Sequence, residues 1–95
     1  MVNITELYAI IVKRYKDIVG KIEIVHINQL RIYLIDSSYL DIWFSLKLNN
    51  RYSYHWERKN IDATIYRHDN APHLKWRDIL TFPKHFHNKT EENVE

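Results

Sequence analysis

The sequence predicts an α+β fold: an N-terminal helix packed on a roughly five-stranded antiparallel β-meander, with an irregular His-rich C-terminal segment. Three observations predict it. Apolar residues recur at helical spacing before Gly20, β-branched and aromatic runs then follow as far as His68, and only short turn signals separate those runs. At 95 residues the chain has room for one core. Residues 1–89 read as a single domain and 90–95 as an acidic, disordered tail.

The helix is marked by Ile4, Leu7, Tyr8, Ile11, Tyr15 and Ile18, which share one stripe. Asn3 is placed to cap it, with Glu6 three residues on as in a capping box. Lys13, Arg14 and Lys16 fall late, where the helix dipole favours cations. Gly20, the only glycine, is expected as the left-handed residue just past the end.

The strands are "KIEIVHI", "LRIYLID", "YLDIWFSLKL", "RYSYHWE" and "ATIYRH", separated by "NQ", "DSS", "NN" and "RKNID". Connections this short join antiparallel neighbours. Register then decides which side chains share a face. A three-residue loop from Asn49 to Arg51 pairs Leu48 with Tyr52 and Phe44 with Trp56, which gathers the apolar residues. It is preferred to a two-residue loop pairing Leu48 with Arg51. A hairpin with Lys59 and Asn60 at its tip pairs Trp56 with Ala63 and Tyr54 with Ile65. In that register the face away from the core carries Trp43, Ser45, Ser53, His55, Thr64, Tyr66 and His68, with Arg67 at the rim of the other face.

Composition narrows the function classes. The absence of cysteine excludes disulfides and thiolate metal sites and suits a reducing cytoplasm. No apolar run reaches the roughly 18 residues of a membrane helix, and "MVNITELYAI" lacks the layout of a signal peptide. The expected location is cytoplasmic, with no membrane partner. Residues 1–46 balance five Lys/Arg against five Asp/Glu, whereas 47–89 hold nine against four. A basic, aromatic second half suits a polyanion such as RNA, although a solvated basic face would look the same. The three Glu of the tail either shield that face or end the chain loosely.

Five of the six histidines lie between positions 55 and 87. Three kinds of chemistry suit them. His85 and His87, two apart in an extended segment, point the same way. With His73, Asp69 or His55 they would form a His₃ or His₂-carboxylate metal site. Alternatively, histidines cleave RNA by acid–base chemistry without a cofactor. One takes the 2′-hydroxyl proton, another protonates the leaving 5′-oxygen, and a cation holds the phosphate. His73 with His85 or His87 would form the pair, His55 would complete it, Arg67 would grip the phosphate, and Asp69 would orient a histidine. Tyr52, Tyr54 and Tyr66 would stack bases, and Lys84 would add a cation. On the third reading the segment is structural: Asp69, Asn70 and Pro72 are turn formers, and Phe82 of "TFP" packs into the core.

The elements "RHDNAPH" (67–73) and "TFPKHFH" (81–87), after "YSYHW" (52–56), resemble the TumE-type family of small prokaryotic toxins. The resemblance runs from about Leu30 to His87. Arg67, Asp69, Asn70, Ala71, Pro72 and His73 match the first element. Thr81, Phe82, Pro83, His85 and His87 match the second. The chain departs at Leu74 and Lys84, where members often carry histidine. The resemblance implies the toxin of a type II toxin–antitoxin pair, with a cognate antitoxin as partner. Ribonuclease activity follows from the side chains rather than from the resemblance. The competing readings are a non-catalytic module that binds nucleic acid or protein and a His-ligated metalloenzyme. A homodimer through the exposed sheet face or an edge strand is compatible with each.

Overall fold

The computed structural model describes residues 3–48 and 50–95, apart from the side chain of Leu74. Helix α1 spans Ile4–Arg14. The Asn3 side chain accepts hydrogen bonds from the Thr5 and Glu6 N–H groups, at 2.9 and 3.2 Å, so the predicted cap forms. The helix is shorter than its stripe implies. Tyr15 ends it, and Gly20 is not a left-handed cap: it lies inside strand β1 (Val19–His26), and no described glycine has a positive φ.

Strands β2 (Gln29–Leu34), β3 (Tyr39–Phe44), β4 (Tyr52–Arg58), β5 (Thr64–Asp69) and β6 (His85–Lys89) follow. Among the described residues they make one six-stranded antiparallel sheet in sequence order, which is the predicted meander with one strand more. The added strand comes from the segment read as irregular. That segment also holds a 3₁₀ turn at Leu74–Trp76 and a cis Phe82–Pro83 peptide. Phe82 does not enter the core and stays exposed.

Ile4 and Ile11 of α1 pack on Leu30 and Ile32, with Leu7, Ile22, Leu40, Ile42 and Phe44 around them. The core therefore sits on the even-numbered side of β2 and β3. Helix α1 covers only the β1–β3 end of that side. Towards β6 the same side continues as aromatic rings: Tyr52 stacks on Tyr54 at 4.8 Å, Trp56 meets Tyr66 at 5.4 Å, and Tyr66 meets Phe86 at 6.2 Å between centroids.

Both predicted hairpin registers are corrected, with different consequences. Between β3 and β4, Phe44 faces Tyr52 rather than Trp56, a slip of four residues. Strand β3 stops at Phe44, and the Ser45 N–H bonds to the Arg51 carbonyl across a longer loop than the one expected. Asn49, within the predicted loop, lies outside the described residues. A slip of four spans two full pleats, so the faces are preserved. Between β4 and β5, Trp56 faces Tyr66 rather than Ala63, a slip of three. The tip is a short helix α2 (Lys59–Asp62) closed by Ala63 at φ 63°, not a tight turn. An odd slip exchanges the faces. Thr64, Tyr66 and His68 move to the aromatic side, and Arg67 and Asp69 move to the side away from the helix.

Arg58 ties this tip to the β2–β3 turn through Asp36 at 2.8 Å and Asp62 at 3.3 Å. Nearby, Trp56 Nε1–H donates to the buried Ser38 hydroxyl at 2.9 Å. Residues 90–95 turn back on the outer edge of β6, where Phe86 and Glu95 exchange two backbone hydrogen bonds of 3.0 and 2.8 Å. None of the described helices is long and apolar enough to cross a membrane.

Candidate functional site

The corrected register aligns one row of side chains across all six strands: Glu23, Arg31, Asp41, His55, Arg67 and His87. A second row beside it carries Gln29, Trp43, Ser53, Asp69 and His85. Nearly all the groups are polar, and both rows lie on the side away from α1. Arg31 and Asp41 form a two-pronged pair at 2.7 and 2.9 Å. That hydrogen bonding holds the Arg31 guanidinium above its usual range.

The surface between the rows forms two hollows. The larger, of about 550 Å³, is lined by Tyr39, Trp43, Arg51, His55, Arg67, Asp69 and His73 among others. The smaller, of about 260 Å³, is lined by Lys75, Trp76, His85, His87 and again by Arg67, Asp69 and His73. These three shared residues form a ridge between the hollows. They are the Arg, Asp and His of "RHDNAPH", carried by the end of β5 and the turn that follows.

Each member of the ridge is held by identifiable contacts. Arg67 Nε–H donates to His55 Nδ1 at 3.2 Å. Because the guanidinium only donates, Nδ1 is the unprotonated nitrogen of His55. Its Nε2–H then donates to Glu57 Oε1 at 3.2 Å. Burial opposes the charge on Glu57, but hydrogen bonds from His55 and from the Lys59 N–H outweigh it and keep the carboxyl below its usual range. The chain Glu57–His55–Arg67 thus fixes the guanidinium plane. The outer fork of Arg67 faces the Glu91 carboxylate at 3.3 Å, and Lys75 pairs with Glu92 at 3.6 Å. Two acidic tail residues therefore sit on basic groups of the site.

Asp69 combines turn and site chemistry. Its Oδ1 accepts the Ala71 N–H at 3.0 Å, the turn role predicted for it, and lies 3.0 Å from His85 Nε2. Asn70 accepts the Tyr52 N–H at 2.9 Å and so anchors the turn to β4. His73 is exposed, with its ring 5.8 Å from that of His85. His85 and His87 are buried side by side, with ring centroids 5.1 Å apart. The 3₁₀ turn lays Trp76 edge-on against His87 at 6.0 Å.

The structure thus brings together Arg67, Asp69, His73, His85, His87 and His55. It does not bring Tyr54 and Tyr66 to them, whereas Tyr52 lines the larger hollow; the rings of all three stack on the opposite side of the sheet, against each other, His68 and Trp56. Burial raises the pKa of the Tyr52 and Tyr54 hydroxyls. Lys84 precedes β6, exposed, and lines neither hollow. Sequence reasoning missed Trp43, Tyr39, Arg51 and Glu57. Trp43 was visible on the polar face through its alternation with Ile42 and Phe44. The other three needed the register.

Residues 8–95 match the family model described as Toxin TumE. No curated protein and no solved structure gives a significant match. The match covers nearly the whole chain, ridge and both histidine elements included, and the chain belongs to the TumE toxin family.

Proposed function

We propose that this TumE-family chain is the toxin of a toxin–antitoxin pair, restrained by a cognate antitoxin protein, and that it acts by cleaving RNA. The observation that carries the reading is the Arg67–Asp69–His73 ridge, where a fixed guanidinium fork, a buried carboxylate and a solvent-facing imidazole meet between two hollows. A guanidinium held from behind by His55 grips a phosphate with two parallel hydrogen bonds at little reorganisation cost. The Glu91 carboxylate already occupies that fork as a phosphate oxygen pair would.

The reaction is transfer of the phosphoryl group to the neighbouring ribose hydroxyl. The 2′-oxygen bonds to phosphorus as the phosphorus–O5′ bond breaks. One group removes the 2′-hydroxyl proton and a second delivers a proton to O5′, leaving a 2′,3′-cyclic phosphate and a 5′-hydroxyl. His73, the exposed histidine, performs one transfer. His85 or His87, behind it, serves the other. Asp69 lies beside that pair, 3.0 Å from His85 Nε2, and His55 positions Arg67. Tyr39 and Trp43, in the larger hollow, offer stacking surfaces on the same side as the ridge.

The test is expression of His73→Ala and Arg67→Ala, each checked for native folding. Both should lose growth arrest, and the purified wild-type chain should leave cyclic-phosphate ends on RNA. If folded His73→Ala arrests growth fully, the assignment is wrong. RNA binding with steep salt dependence but no cleavage would instead identify a binding module.

A further inference from the structure

We infer that Asp69, His85 and His87 form a binding site for one divalent first-row transition-metal ion, open towards the smaller hollow. The three residues are buried, with relative exposures of 7%, 2% and 5%. One ligand atom from each lies within 4.8 Å of the others. Two imidazoles and a carboxylate, with no thiolate anywhere in the chain, suit zinc, manganese or iron(II).

The second observation concerns which nitrogens are free. His85 Nδ1 lies 3.1 Å from the Pro83 carbonyl, and His87 Nδ1 lies 2.8 Å from the Glu91 carbonyl. A carbonyl only accepts, so both Nδ1 atoms carry the hydrogen. Both Nε2 atoms are then left with their lone pairs, the arrangement by which backbone carbonyls orient metal-binding imidazoles. The buried His85 Nε2 has no hydrogen-bond partner among the described residues. It nevertheless lies 3.0 Å from Asp69 Oδ1 without forming a hydrogen bond to it. A lone pair facing a carboxylate oxygen in a buried space calls for a positive charge between them. Metal bonds of about 2.1 Å set neighbouring ligand atoms roughly 3.0–3.4 Å apart, which matches this spacing. Arg67 and His73 line the same hollow as the three ligands.

The inference deepens the ribonuclease reading, since a metal-bound water would take over the proton transfer assigned to His85 or His87. Binding itself does not depend on that reading. The experiment is calorimetric titration of the chelator-treated, dialysed full chain with Zn²⁺ and with Mn²⁺, followed by visible spectra with Co²⁺. One equivalent should bind, and the Co²⁺ bands should report nitrogen ligation. His85→Ala and Asp69→Asn should each weaken binding at least tenfold, while His26→Ala, on an exposed strand position, binds as wild type. If the wild-type chain binds none of the three ions stoichiometrically, or if folded His85→Ala binds as well as wild type, the site does not exist. A bound ion with a fully toxic His73→Ala would remove the ribonuclease reading and leave the site. No bound ion with an inert His73→Ala would do the reverse.

Discussion

The two sides of the β4–β6 half share one backbone and differ in kind. On one side Tyr52, Tyr54, Trp56, Tyr66, His68 and Phe86 stack ring on ring. On the other, Arg67 bonds to His55, Asp69 lies 3.0 Å from His85, and His87 packs edge-on against His85. Alternation along each strand sends neighbours in sequence to opposite sides, so "YRHD" supplies both surfaces in four residues. Dense polar chemistry in a short stretch is therefore not one site. Half of it faces a site, and the other half stacks on the sheet behind.

The largest expected effects come from the ridge. Arg67→Ala should lower the rate of RNA cleavage roughly 100-fold or more, because the group proposed to grip the phosphate is lost. His73→Ala should cost a similar factor through the lost proton transfer. Tyr54→Ala, on the aromatic side, should change cleavage by less than about twofold while lowering stability by roughly 1 kcal/mol, since it removes ring contacts and no site group. Equal losses from Tyr54→Ala and Arg67→Ala would mean that the two sides do not divide the work. Rates on a short RNA, with urea denaturation of each variant, make the comparison.

An intermediate effect separates the aromatics of the two sides. Trp43→Ala should weaken RNA binding by about 1–3 kcal/mol per stacked base with little change in the chemical step, whereas Tyr66→Ala should leave RNA affinity unchanged. Fluorescence anisotropy with labelled RNA checks both. If Tyr66→Ala is the variant that loses affinity, nucleic acid uses the aromatic side and the ridge is not its contact.

Much of this was legible in the residues. Asn3 and the stripe from Ile4 to Ile11 announced the helix, and unbroken β-branched runs with short turns announced the meander. What failed was counting at the hairpin tips. Nothing in "RKNID" says that it forms a helical turn ending on a left-handed alanine, and that one odd slip moved Arg67 and Asp69 to the face of His55. The β3–β4 slip was even and did no harm to the faces. Strand β6 was hidden for a different reason: its buried positions are His85 and His87, so it lacks the apolar alternation by which a strand is recognised. The signal available was H-x-H itself, which places both rings on one side of any extended segment.

Smaller effects probe how Arg67 is held. Glu91→Gln removes the carboxylate on the Arg67 fork but keeps the Glu91 backbone carbonyl that orients His87. Exposed pairs of this kind are worth ~0–1 kcal/mol, so RNA affinity should rise by at most about fivefold, and the rise should shrink with added salt. A fall in affinity would show that the tail supports the site rather than competing for it.

The smallest effect lies behind Arg67, at Glu57. Its carboxyl is held below its ordinary value of 4.5, against the opposing pull of burial, by hydrogen bonds from His55 and the Lys59 N–H. A carboxyl whose folded pKa is lower than its unfolded one binds its proton more readily in the unfolded chain. Its stabilising contribution is therefore fully present above pH 4.5 and is lost as pH falls through the lower folded value. Glu57→Gln keeps the shape and removes the titration. The variant should be less stable than wild type near neutral pH, by no more than ~1 kcal/mol, and the difference should close under acid. Urea denaturation at several pH values measures the gap. A gap that stays constant as pH falls would mean that Glu57 acts through packing alone, and the fixed plane of Arg67 would then rest on His55 without its carboxylate.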